Sequence, residues 1–402
     1  MRVLFSDIED AQKRLEKLLV PTELAYSHSC SVLLGTNIYL KFENTQRTGS
    51  FKIRGAFNKL SQLSDIEKKQ GVVASSAGNH AQGVALSASL THVSAKIVMP
   101  ENAPLMKVSA TKGYGAEVVL HGEYYDQAYD KACELAEIEG RVFIHPYEDP
   151  QIIAGQGTIG IEIFHQQKDI DTIIVPIGGG GLISGIAIAA KTMSPKTKII
   201  GVQSNLAAGM ASMFHQQNVT ESNRRISTIA DGIAIKRPSQ KMFDQFISKY
   251  VDEIVTVTDD ELAAAMVFLL ERAKTVVEGS GAAALAAAMQ NKIQLGKHSV
   301  VILSGGNIDL NIVAKIIQQG QIKRGLLVEL SVIVDDMPGT LSRLTAAIAQ
   351  EKANVLEVYH DRVSQGLYLR ETRIDFLLET TSIEHVERIK EALRKAGGNI
   401  SS

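Results

Sequence analysis

The chain has 402 residues, 45% of them apolar and 21% charged, which suits a soluble protein with enough length for two or three cores. A net charge of −2 gives no basic excess for nucleic acid or an anionic membrane surface. Two cysteines, Cys30 and Cys133, cannot build a disulfide framework and form no C-x-x-C pair. The opening "MRVLFSDIEDAQKRL" lacks the apolar core of a signal peptide, and no apolar run is long enough to span a bilayer, so a cytoplasmic protein is expected.

In chain order, short β-rich runs alternate with longer helical patterns through the first 320 residues, which predicts βα units around a mostly parallel sheet. After the strand-like "NIYLKFE", the strand candidates are "GVVASS" (71–76), "AKIVMP" (95–100), "AEVVLH" (116–121), "TIIVPIG" (172–178), "KIIGVQS" (198–204) and "SVVILSGG" (299–306). Several lack alternation, as strands buried on both faces do. Each leads into a glycine- or serine-rich turn and then a helix, which aims loops and helix N-termini at one rim, where open α/β sheets bind ligands. "QQGQIKRG" (318–325) reads as a linker. Beyond it a period-2 strand carries Val328, Leu330, Val332 and Val334, and "MPGT" opens a helix with Leu341, Leu344 and Ile348 on one face. Two more strands, "NVLEVYHDR" and "RIDFLLET", precede a helix announced by "TSIE", a capping-box pattern, with Ile383, Val386, Ile389 and Leu393 as its apolar face. Strand-helix-strand-strand-helix is most of a ferredoxin-like unit, and the closing strand falls in the very short "GGNISS".

The strongest local signal is "VPIGGGGLISGIAIAAK" (175–191), where an apolar strand runs into four consecutive glycines and a helix. Glycines let backbone N–H groups converge, and the helix dipole adds partial positive charge, so the loop suits a phosphate. It lacks the Gly-Lys-Ser/Thr of a P-loop and the G-x-G-x-x-G spacing of a dinucleotide site, which leaves a single phosphate monoester. An ordinary strand–helix turn needs only one or two glycines. "SSAGNHAQG" (75–83) offers hydroxyls and amides at a helix start, suited to a carboxylate, and Asn79 there can donate its side-chain amide to a ring substituent. As a lone pattern it would read as simple capping, and His80 has no catalytic role. "LSGGN" ends another strand with Ser304, whose hydroxyl can donate to a ring nitrogen.

Lys52 stands apart from the other cations, which read as solvated surface. It follows "TGS" and precedes "IRGA", between Phe51 and Ile53. A partly buried amine has a lowered pKa and becomes a nucleophile for carbonyls and a usable base. An amine, a monophosphate cradle and two polar loops together fit pyridoxal 5′-phosphate, an aldehyde on a pyridine ring bearing one phosphate.

"RTGSFKIRGA", "SSAGNHAQG", "GGGGLISG" and "LSGGN" resemble, in this order, the motifs of the threonine/serine dehydratases, pyridoxal-phosphate enzymes of the tryptophan synthase β-like fold. The remainder, with "DDMPGTLSRL", looks like an ACT regulatory domain. The resemblance implies an α/β catalytic domain over 1–320, made of two open α/β subdomains with the smaller at about 45–145, and a small α+β ferredoxin-like ACT domain over 326–402. It implies that Lys52 bonds the cofactor aldehyde and that Asn79 meets the ring oxygen. Gly178, Gly179, Gly180, Gly181 and Leu182 would bind the phosphate, and Ser304 the pyridine nitrogen. Ser75, Ser76, Ala77, Gly78 and His80 would line the substrate carboxylate site. The implied reaction is deamination of L-threonine to 2-oxobutanoate and ammonia, with L-serine as secondary substrate. An amino-acid effector, isoleucine or valine, is expected at an inter-domain or inter-subunit interface of the ACT-like part of a homo-dimer or tetramer. The alternative within the fold is a serine racemase or hydroxyaspartate dehydratase. A threonine synthase would need a second phosphate cradle, and a non-catalytic amino-acid sensor would have no need of Lys52. Some relatives hold a divalent cation with acids after the "IIGV" strand. Here Gln203 and Gly209 stand at those positions, so no metal is expected.

Overall fold

The computed structural model describes residues 1–16, 18–217, 227–363 and 366–400. The chain divides into two compact units, Met1–Ile308 and Asp309–Ser402.

The first unit holds β1 (Leu24–Tyr26), β2 (Asn37–Phe42), β3 (Val72–Ser75), β4 (Ala95–Met99), β5 (Glu117–Leu120), β6 (Val142–Phe143), β7 (Thr172–Pro176), β8 (Lys198–Ser204), β9 (Glu253–Val257) and β10 (His298–Leu303). They form a six-stranded sheet in the order β1-β2-β10-β7-β8-β9 and a four-stranded sheet in the order β5-β4-β3-β6. Every pairing is parallel except β1 with β2. The smaller sheet is a continuous insertion between β2 and β7. Strands β3, β7 and β10 are almost wholly buried, which explains their unbroken apolar runs. The larger sheet reverses direction of winding between β10 and β7, and ligands of open α/β sheets bind at such a switch point.

The helix Lys52–Leu60 packs closely on the helix Pro150–Gln166: a Cβ on Gly155 would lie 2.6 Å from the Gly55 Cα. One buried ionic cluster joins these two helices to the end of β2. Arg54 donates from Nε and Nη2 to both oxygens of Glu43, each at 2.8 Å. It also donates from Nη1 and Nη2 to both oxygens of Glu162, at 2.5 and 2.9 Å, and from Nη1 to Thr158 at 3.1 Å. These five bonds use every guanidinium N–H. Lys41 adds a 2.6 Å bond to Glu162 and a 2.7 Å bond to the Thr22 carbonyl, while the Thr22 hydroxyl donates to Glu43. Two cations and two anions thus balance in the interior, as buried charges must.

In the second unit the helix Leu310–Lys323 comes first, so most of the stretch expected as a linker is helical. The break comes at Gly325, whose φ of +64° is left-handed. β11 (Leu327–Asp335), β12 (Asn354–Asp361), β13 (Glu371–Glu379) and β14 (Asn399–Ile400) then form an antiparallel sheet in the order β12-β13-β11-β14. Helices Thr340–Gln350 and Ile383–Lys395 complete the ferredoxin-like arrangement. Leu344, Ile348, Val386, Ile389 and Leu393 are buried, but Leu341 and Ile383 are exposed at 37% and 59% because each lies in its helix's first turn, off the buried stripe. The last helix is capped by Ser382, which accepts from the His385 amide, rather than by the Thr381–Glu384 pattern. Among the described residues no helix is long and apolar enough to cross a membrane.

Candidate active site

The loops that leave the C-terminal ends of β2, β3, β7 and β10 converge on one cavity of about 490 Å³ within the first unit. All thirteen residues expected at the site line it: Lys52, Ser75, Ser76, Ala77, Gly78, Asn79, His80, Gly178, Gly179, Gly180, Gly181, Leu182 and Ser304.

Lys52 is the first residue of its helix, placed where residues 48–51 pair with the loop after β10. Phe51 N–H donates to the Ser304 carbonyl at 3.2 Å, and Gly306 N–H to the Gly49 carbonyl at 2.8 Å. Its amine donates to the Pro146 carbonyl at 3.0 Å and stands 5.1 Å from the Phe51 ring centre. Burial pushes the amine down to about 8, with the Glu278 carboxyl resisting, so about a tenth of it is unprotonated at pH 7, far more than for a solvated lysine.

The four-glycine loop joins β7 to the helix Gly181–Met193, and Gly180 caps that helix at φ +91°. A Cβ on Gly179 would sit 2.3 Å from the Tyr147 ring, so no larger residue fits while that ring packs beneath the loop. With no side chain in the way, the N–H groups at this helix start are free to face an anion.

In the 75–80 loop, Ser75 is 1% exposed and its Oγ has no partner among the described residues. Ser76 Oγ accepts from Gly78 N–H at 3.1 Å. His80 is buried with Nε2 on the Ile144 carbonyl at 2.9 Å, and burial together with Lys52 drives its pKa to about 3, so it stays neutral. Asn79 is the first residue of the helix Asn79–Leu90.

Sequence reasoning missed several residues that share the cavity: Tyr147, Glu278, Ser280, and the pair Lys107–Asp231, whose ion pair spans 2.8 Å. Glu278 is 5% exposed and receives a 2.6 Å hydrogen bond from Asn79 Nδ2. Burial and the Asp231 charge push its carboxyl up to about 8. Ser280, at the start of the helix Gly279–Met289, is 2% exposed, and its Oγ has no partner among the described residues. The only hint in the sequence is an acid set before "GSGAAALAAAM", a run too small and apolar for a solvated helix.

Where a metal-binding relative would have acids, Gln203 is buried with its Oε1 accepting the Ala211 amide at 3.0 Å. A Cβ on Gly209 would meet the Pro238 ring at 2.9 Å. Among the described residues no group of three or more His, Cys, Asp or Glu could hold a metal ion.

An amine of lowered pKa, a side-chain-free cradle at a helix start and buried hydroxyls without partners among the described residues form a site suited to an aldehyde that also carries an anion. Residues 15–305 match the family model for pyridoxal-phosphate dependent enzymes, and residues 328–398 match the ACT domain. An L-threonine ammonia-lyase of Thermotoga maritima is 46% identical over 396 residues, 98% of each chain. The catabolic L-threonine dehydratase of Escherichia coli is 50% identical over 317 residues, 78% of this chain and 96% of that protein. Among solved structures, the processed threonine deaminase isoform 2 of Solanum lycopersicum superposes with a TM-score of 0.74 at 37% identity, covering 79% of this chain and 88% of that one. The chain therefore belongs to the pyridoxal-phosphate dependent enzymes, with the sequence and domain order of the threonine ammonia-lyases that end in an ACT domain.

Proposed function

We propose that the protein deaminates L-threonine to 2-oxobutanoate and ammonia, with L-serine as a secondary substrate giving pyruvate. The observation that carries this reading is Lys52: a half-buried amine, its pKa lowered to about 8, in the same cavity as a four-glycine cradle. The substrate class follows from relatives at 46% and 50% identity named for threonine.

When bound, pyridoxal 5′-phosphate supplies an aldehyde for amines and a ring that accepts the electron pair left on Cα. Gly178 to Gly181 and Leu182 would hold its phosphate through backbone N–H groups, Asn79 its ring oxygen and Ser304 its ring nitrogen. Their fit rests on the side-chain-free cradle and on the unpartnered, buried hydroxyls of Ser75 and Ser280 that open into the cavity. The chain's own groups then divide the work. Ser75, Ser76 and the Ala77 amide orient the substrate carboxylate, with the Gly78 N–H, which donates to Ser76 Oγ, holding that hydroxyl in place. The Lys52 amine takes the Cα proton, which its lowered pKa suits it to do at neutral pH. A hydroxyl at Ser304 leaves the ring nitrogen without a negative partner, unlike a carboxylate, and favours prompt loss of the β-hydroxyl over side reactions.

In the second unit, a cavity of about 650 Å³ is lined by Asp336, Pro338, Gly339, Thr340, His360 and Arg362, around the turn from β11 into its helix. An amino-acid effector, isoleucine or valine, would have to exchange its amine and carboxylate for the ion pair that Asp336 and Arg362 make with each other here, at 2.9 Å. A coupling of about 1–3 kcal/mol would give useful regulation. We expect a cytoplasmic homo-dimer or tetramer.

The test is ketoacid production from L-threonine by wild type and Lys52→Ala, with and without isoleucine. Production of 2-oxobutanoate by wild type, its loss in the variant and a rate shifted by isoleucine are the expected results. A cofactor-bearing wild type that is silent on threonine but makes D-serine from L-serine would move the assignment to the racemase.

A further inference from the structure

Glu278 and Asn307 have no part in the reading above, yet together they hold Asn79 from both ends. Asn307 Nδ2 donates to the Thr48 carbonyl at 2.7 Å and to Asn79 Oδ1 at 2.8 Å. Asn79 Nδ2 donates to Glu278 Oε1 at 2.6 Å. The order of this chain is dictated by chemistry. The Thr48 carbonyl can only accept, so Asn307 turns its NH₂ that way, and its second N–H requires an oxygen from Asn79. The Asn79 NH₂ is thereby turned toward Glu278. It carries two hydrogens: Glu278 takes one and the other is left for whatever occupies the cavity that Asn79 lines.

Glu278 is seated as closely as the backbone allows. A Cβ on Gly305 would fall 2.5 Å from its Oε1, so the neighbouring "LSGGN" glycine makes room for the carboxyl. The charged groups that face it are Asp231, Lys107 and Lys52. Asp231 raises its pKa, the two lysines and the Asn79 bond lower it, and burial outweighs all of them, so the carboxyl keeps its proton to about pH 8.

We propose that Glu278 is a positioning residue that acts on the cofactor through Asn79. With Asn307 it fixes which way the Asn79 carboxamide points, and its ionisation controls the charge behind that amide. A neutral carboxyl leaves the free Asn79 N–H facing a ligand oxygen with no opposing charge. An ionised one places a negative charge behind the amide and disfavours an anionic oxygen in front of it. The proposal rests on the pyridoxal-phosphate reading, whose ring oxygen is the ligand atom concerned.

The experiment uses the holoenzyme and reads its visible absorption, which reports the protonation of the ring system, from pH 6 to 10. Wild type is expected to exchange intensity between two cofactor bands within this range, and Glu278→Gln to lose that transition while keeping its fold by circular dichroism. The same midpoint in both proteins, or no transition in wild type, overturns the proposal. Should Glu278→Gln fail to fold or to retain cofactor, Asn307→Ala carries the test. Freeing the Asn79 oxygen should raise the cofactor Kd about 5- to 10-fold, as loss of one well-placed hydrogen bond does, and an unchanged Kd overturns the proposal. A wild type that takes up no cofactor at all overturns the underlying reading, and this proposal with it; a band present in wild type and absent from Lys52→Ala keeps the two failures distinct.

Discussion

Two clusters of buried polar groups share the helix that begins at Lys52, and they solve burial in opposite ways. Around Arg54 every guanidinium N–H has an acceptor, two cations face two anions, and the guanidinium is held firmly charged: burial lowers its pKa but Glu43 and Glu162 raise it further. Burial alone would raise the Glu43 carboxyl, yet Arg54 and Lys41 hold it below its ordinary value. Lys41 is the exception, an amine lowered by burial despite Glu43 and Glu162. Around Lys52 both principal groups move toward their neutral forms, the amine down and Glu278 up, and the hydroxyls of Ser75 and Ser280 have no partner among the described residues. A closed, balanced network is architecture. An open one, whose groups shift toward neutrality and keep unused bonding capacity, is where a ligand completes the bonding.

Residues 52 and 54 therefore should fail in different assays. Lys52→Ala should cut threonine deamination by about 10³-fold or more, since it removes both the cofactor's anchor and the proton acceptor, while the thermal midpoint stays close to wild type. Arg54→Met should do the reverse in kind. Stranding Glu43 and Glu162 without their cation costs about 3–5 kcal/mol, read by urea unfolding, and lost activity should follow lost fold. Replacing Lys41, Glu43, Arg54 and Glu162 together by apolar residues of similar volume should recover most of that loss. If Arg54→Met alone is as stable as wild type, the cluster is not the clamp described here.

A smaller effect separates the cradle from its support. Gly179→Ala places a methyl 2.3 Å from the Tyr147 ring, and relieving such overpacking costs about 1–3 kcal/mol. Because the loop is the part able to shift, the cost should appear as a cofactor Kd raised by about 10-fold or more, with the unfolding midpoint little changed. Pairing it with Tyr147→Ala should restore part of the affinity; no recovery would mean that the ring does not set the limit.

The two clusters were also unequally legible in the sequence. Lys52 and the four glycines could be read because the signal is local: a cation among small residues, and more glycines than a turn needs. β3, β4, β5, β7, β8 and β10 were visible as apolar runs, whereas β1, with three residues, and β6, with two, are too short to show a period. β9, "EIVTV", carries only a weak alternation. The Arg54 cluster was hidden because "LKFE" alternates like a strand with one solvated face. Glu43 lies near Arg54 in sequence, but the cluster closes only through Glu162, more than a hundred residues from both cations. Glu278 was hidden for the same reason. An acid before a helix looks like an ordinary N-terminal charge until the fold brings Asn79 and Gly305 against it.

Glu278 supplies the finest test of the contrast, because an open cluster should depend on pH in the range where the closed one does not. The folded protein keeps the Glu278 proton up to about pH 8, whereas the unfolded chain releases it in the ordinary carboxylate range. Between those values the folded state binds more protons than the unfolded one, so this carboxyl makes stability fall as pH rises, and its contribution levels off above pH 8. Glutamine does not titrate. The advantage of Glu278→Gln over wild type should therefore grow from pH 5 to pH 8, by at most about 1.4 kcal/mol per pH unit, and stay constant beyond. Urea unfolding of the cofactor-free proteins at pH 5, 6.5, 8 and 9 measures it. A difference that is already constant from pH 5 would mean that the carboxyl is ionised in the folded protein, and the two clusters would then be alike in holding their charges.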